Sequence, residues 1–118
     1  MATKINKANF FAKMGVLHRE PVTLNGFGEV FIKALTAKEN EEFEQIIVNT
    51  DGKMKTDISV KAVMVIKSAE DADGNKLFTM DDLEQLSAMP AAPINKMFAV
   101  ASRLNNVTDA DIEELTKN

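Results

Sequence analysis

The chain has 118 residues, 45% of them apolar, with a net charge of −4, one His and no Cys, Trp or Tyr. That length suits a single domain able to bury a real core, and the missing Cys excludes disulfides and thiolate metal sites. The charge is uneven, with five Lys and Arg against two acids in residues 1–35, a balance of +3, and nine against sixteen in residues 36–118, a balance of −7. This pattern argues against nucleic-acid binding, which needs a concentrated basic face.

The N-terminal "MATKINKANFF" is basic but holds no long apolar stretch, so a signal peptide is not expected. No apolar run approaches the roughly 20 residues that span a bilayer, so no membrane association is expected. Residues 6–15, "NKANFFAKMG", read as a short helix with Phe10, Phe11 and Met14 on one side and Gly15 at its end. Residues 1–20 form a basic arm. A helix this short does not hold alone in water, so it must dock or move.

Residues 21–35, "PVTLNGFGEVFIKAL", read as a β-hairpin. Val22 and Leu24 alternate on one side, Val30 and Ile32 on the returning strand, and Asn25-Gly26 is a strong tight-turn signal. Gly28 is a candidate bulge. Residues 36–49, "TAKENEEFEQIIVN", open on a capping box between Thr36 and Glu39, with Phe43, Ile46 and Ile47 as the apolar stripe. Residues 49–57 read as a loop.

Residues 58–69, "ISVKAVMVIKSA", have the β-branched content of a strand. Their length, and Asp57 as a cap, favour a largely buried helix instead. In "EDADGNKLFTMDDLEQL" (70–86), acids before a glycine suggest a calcium loop. The register refuses it: with Gly74 at the sixth position, the first is Ala69, the eighth Lys76 and the twelfth Met80. None of these residues suits its position. The remaining reading is a turn at Asp73-Gly74, a short extended "KLF" and a helix capped by Thr79 with Asp82 three residues on.

Residues 90–106 give the clearest helix, with Pro93 in its first turn and Ile94, Met97, Phe98, Ala101 and Leu104 on one face. Asn105 or Asn106 is expected in a left-handed cap. Thr108 then caps a last short helix with Ile112 and Leu115 on its edge. A hairpin followed by four to five short helices in a single domain, residues 1–118, makes the class α+β.

The chemistry-bearing residues are few. His18 has no triad partner nearby, no glycine loop is built to cradle phosphate, and the carboxylates sit where capping and turns explain them. An interaction module without enzymatic activity or cofactor is expected.

Three stretches in series resemble the tail assembly chaperones of long-tailed bacteriophages: "GFGEVFIKALTAKENEEFE", "DADGNKLFTMDDLEQL" and "MFAVASRLNNVTDADIEELTKN". The resemblance spans roughly residues 21–118 and is weakest over 49–69 and the arm. It implies a protein of the host bacterial cytoplasm that binds the tape measure protein, keeps it soluble and helps recruit tail tube subunits. It also implies absence from the mature virion and a siphovirus-type tail. A longer frameshifted form that recruits the tail tube protein is frequent in the family, and Lys117-Asn118 would be the stop of the short form.

Seven Met and seven Phe offer adaptable apolar contacts for such a role. The residues expected at the partner are Phe10, Phe11 and Met14 on the arm, with Met89 and Met97 by the penultimate helix. Met97 also reads as core. The arm also reads as docking on its own domain or on a neighbouring subunit, which would make a homo-oligomer. The competing class is a structural minor tail or connector subunit retained in the particle.

Overall fold

The computed structural model describes residues 6–105. The expected Thr108-capped helix, with Ile112 and Leu115, and the cap at Asn106 lie outside them.

Helix α1 (Lys7–Met14) comes first. Strands β1 (Arg19–Leu24) and β2 (Gly28–Lys33) form the hairpin. The ladder runs unbroken from Arg19↔Lys33 to Leu24↔Gly28, with Val22 opposite Val30. Gly28 therefore ends the loop and makes no bulge. The connection is three residues long, closed by the Phe27 N–H donating to the Leu24 carbonyl at 3.0 Å, with Gly26 at φ 81°. That left-handed value is what the glycine supplies. Val22, Val30 and Ile32 are buried on one face of the ribbon, as the alternation predicts.

Helix α2 (Ala37–Ile47) opens on the predicted capping box: Thr36 accepts from the Glu39 N–H at 3.1 Å, and Glu39 accepts from the Thr36 N–H at 3.0 Å. Phe43 and Ile47 are buried, and Ile46 packs at the edge of the core. Helix α3 (Val60–Ser68) decides the 58–69 segment in favour of helix. It is buried at Ala62, Val63, Met64, Val65, Ile66 and Ser68. The β-branched side chains are compatible with a helix because they are enclosed by partners on several sides: α2, α4, α5 and β2 all pack against α3. The expected cap is corrected. Ser59, not Asp57, accepts from the Ala62 N–H at 3.1 Å, since the helix starts at Val60 and the cap must precede it directly.

The chain passes from α3 straight into β3 (Ala69–Glu70), which pairs antiparallel with β2 and completes a sheet of order β1-β2-β3. This third strand is too short to show a periodicity. Lys76 bridges to Glu70 on its far side, and the Leu77 N–H reaches the Ala69 carbonyl at 3.3 Å, so the extended "KLF" is present. Thr79 and Asp82 form their capping box on a single 3-10 turn, Met80–Asp82, which runs into α4 (Leu83–Ser87).

Helix α5 (Ala91–Leu104) buries Ile94, Met97 and Ala101, with Phe98 and Leu104 packed beside them, and lies against β1, β2 and α3. Asn105 does not take the left-handed cap; its φ is −103°. Instead its side chain works in two directions, donating to the Ala101 carbonyl at 2.8 Å and accepting from the Leu35 N–H at 2.7 Å. The architecture is α+β, with a small antiparallel sheet backed by helices.

Strand β1 forms one edge of the sheet. The Ala34 N–H donates to the His18 carbonyl at 2.8 Å, which turns the backbone groups of residues 19, 21 and 23 outward. Pro21 has no N–H to offer there, and Lys96 Nζ takes the Thr23 carbonyl at 2.5 Å. Among the described residues no helix is long and apolar enough to cross a membrane.

Candidate protein-docking surface

Helix α1 is made by local signals alone. Asn6 accepts from the Asn9 N–H at 2.9 Å, and the Gly15 N–H closes the other end on the Phe11 carbonyl at 3.0 Å. A Cβ at Gly15 would stand 2.5 Å from that same carbonyl oxygen, so the helix end requires glycine. No residue of α1 is buried. Phe10 is 53% exposed, Phe11 63% and Met14 71%, and the apolar run continues through exposed Val16 and Leu17. Phe10 and Phe11 meet edge to face, with ring centroids 5.7 Å apart. Eight residues fall short of the ~12–15 that a helix needs to persist alone in water. Its exposed apolar face is open to a partner.

A second candidate surface, part apolar and part polar, lies where α3, α4 and α5 meet. Leu86 and Ile94 form the floor of an open groove of ≈ 270 Å³, Met89 stands exposed at its side, and Ser59, Ser87 and Asn95 line it with Lys61. Lys61 Nζ donates to Asn95 Oδ1 at 2.9 Å and lies 5.7 Å from the Phe98 ring centroid. The ammonium is held at the rim while its stem covers apolar surface.

Four of the five expected contact residues thus lie on the surface. Phe10, Phe11 and Met14 come together on α1, and Met89 flanks the groove. Met97, 3% exposed, belongs to the core beneath α5 and cannot touch a partner without unpacking it. Sequence reasoning missed Phe27, 76% exposed at the hairpin tip, and the exposed Val16, Leu17, Leu77 and Met80. The signal for Phe27 was there: a large apolar side chain between two glycines of a turn has nothing to pack on.

The charged groups of the body serve the fold. Arg19 stacks over Phe31, 4.4 Å from its centroid, while Nε reaches Glu70 Oε1 at 3.0 Å and Nη2 reaches the Asp71 carbonyl at 2.8 Å. Glu39 sits between Lys33 at 2.5 Å and Lys76 at 3.8 Å. Partial burial pushes its pKa up, but the hydrogen bonds from Lys33 and the Thr36 N–H and the two lysine charges outweigh that, and the net shift is downward. Asp71 is lowered too, first by the Asn75 N–H and also by that of Asp73. Its Oδ1 accepts from both at 2.9 Å, so the acidic turn is closed on its own backbone. Among the described residues no group of three or more His, Asp or Glu is placed to hold a metal.

The sequence matches no family model and no curated protein. The structure is similar to that of the bacteriophage HK97 tail assembly chaperone, with a TM-score of 0.58 and 17% sequence identity over 82% of this chain and 95% of that chain. At that identity the likeness establishes a shared fold.

Proposed function

From a fold shared with a phage tail assembly chaperone, we propose that the chain acts in tail assembly by binding the tape measure protein. It keeps that protein soluble, helps recruit tail tube subunits, and is left out of the mature virion. The single observation that carries this reading is the shared fold over 82% of the chain, and the surface agrees with it. An unassembled client with long apolar helix stripes aggregates unless those stripes are covered. The exposed Phe10, Phe11 and Met14 supply soft apolar contact, and the acidic body disperses the coated complex.

The task requires no reaction and no cofactor, and we assign neither. It belongs in the host bacterial cytoplasm, before the tail is built. Many copies along one long client convert modest single contacts into firm overall binding, and modest contacts also permit release. Contact with the tail tube protein would run through a longer frameshifted form.

Co-expression with the tape measure protein of the same phage tests the proposal. The chain should move that protein from the pellet to the soluble fraction, and the Phe10→Ser/Phe11→Ser variant should not. Mass spectrometry of purified virions should find the chain missing or in trace. High copy in virions would instead make it a structural subunit.

A further inference from the structure

Two of the exposed surfaces, helix α1 and the groove beside Met89, carry cations at their apolar side chains. On α1, Lys7 precedes Phe10 and Phe11 by three and four residues, and Lys13 follows Phe10 by three, so both ammonium groups border the aromatic face. At the groove, Lys61 is the charged residue of the lining, positioned by Asn95 and Phe98. This happens in a chain whose residues 36–118 carry −7. At these two surfaces the bordering charges are cations.

We infer that the partner offers amphipathic helical segments whose apolar stripes are flanked by carboxylates, one gripped by α1 through Phe10, Phe11 and Met14 with Lys7 and Lys13, and another docked at the groove beside Met89 and Lys61. The inference rests on the proposed client-binding role and adds the chemistry of the segment bound. Each contact places an apolar anchor on apolar surface and a carboxylate within reach of an ammonium. The groove, bounded by α3, α4 and α5, has room for an anchor side chain of a helix lying over it. A carboxylate-flanked segment meets repulsion from the rest of the body, so binding is confined to these two places. The arm of a second copy is a poorer occupant of the groove, because it would bring Lys7 and Lys13 against Lys61.

The test uses the full chain and two synthetic amphipathic peptides with the same leucine stripe, one flanked by Glu and one by Lys, followed by fluorescence anisotropy. The Glu-flanked peptide should bind about tenfold more tightly at low salt. The advantage should shrink as salt rises, as exposed charges are screened. Lys7→Glu/Lys13→Glu and, separately, Lys61→Glu should each reduce or reverse the preference. Lys7 and Lys13 are exposed on a helix with no buried residue, so their double variant keeps its fold.

Equal binding of both peptides, or tighter binding of the Lys-flanked one, overturns the inference. So does failure of both to bind while the chain self-associates through its arm, which would make a second copy the occupant. Tape measure solubilisation is scored independently. If it persists without a peptide preference, only this inference falls; if it fails while the preference holds, only the client assignment falls.

Discussion

Asn105 and Leu35 are 70 residues apart in sequence, yet Asn105 Oδ1 accepts the Leu35 N–H at 2.7 Å and so fastens the end of α5 to the turn between β2 and α2. The same side chain closes α5 on the Ala101 carbonyl. Replacing Asn105 with Leu leaves a half-buried N–H without its partner and should cost about 1–3 kcal/mol. Asn105→Asp keeps the acceptor and should cost less. Urea denaturation of the three proteins checks the order.

The arm and the core should respond oppositely to truncation. Phe10→Ser/Phe11→Ser changes no buried contact, so its stability should stay within about 0.5 kcal/mol of the parent while client solubilisation is lost. Met97→Ala empties part of the core and should cost about 2–5 kcal/mol. Its surface stays intact, so client binding should survive at temperatures where the variant is folded. A Phe10/Phe11 variant that unfolds early would show that α1 packs on the body in solution.

Glu39 should make stability depend on pH in the acid range. Its carboxyl is held below the ordinary value of 4.5 in the folded chain. The contribution is therefore complete above that value and disappears as pH falls through the lower, folded-state pKa. Urea midpoints of the parent and of Glu39→Gln should differ by a constant amount above pH 4.5 and converge below it. Curves that stay parallel to lower pH would remove Glu39 from the account.

Calcium should leave the melting temperature unchanged. The Asp71 carboxylate is engaged by the N–H groups of Asp73 and Asn75, and the Asn75 side chain stands 3.5 Å from its Oδ2. A turn satisfied by its own backbone offers a cation little. A calcium-dependent rise in melting temperature would contradict this reading.

What could be read from the sequence depended on how local the governing physics is. The hairpin, the Thr36–Glu39 and Thr79–Asp82 boxes, and the α5 stripe follow from residues within one or two turns of each other, and they stand as expected. The α3 segment was ambiguous because its β-branched content and its length point to different structures; its burial among four neighbouring elements decides for helix. Strand β3 was invisible, since two residues gain an extended conformation only from a partner, β2, far along the chain. The hydrogen bond between Leu35 and the Asn105 side chain is hidden for the same reason.

Phe10, Phe11 and Met14, grouped by helical spacing, all lie exposed on α1. Met97 could not be separated from Met89 without knowing which side of α5 the core takes. Val16, Leu17 and Phe27 lie in loops, where no apolar period marks them.

Pro21 bears on crowding. If dozens of copies line one extended client, their sheet edges sit at a local concentration no free protein reaches, the condition under which strands of neighbouring molecules zip into fibrils. Pro21 removes a donor from the middle of the outward row, and Lys96 occupies the Thr23 carbonyl beside it. In the proposed role, a chain that keeps another from aggregating would thereby be kept from seeding the same fate among its own copies.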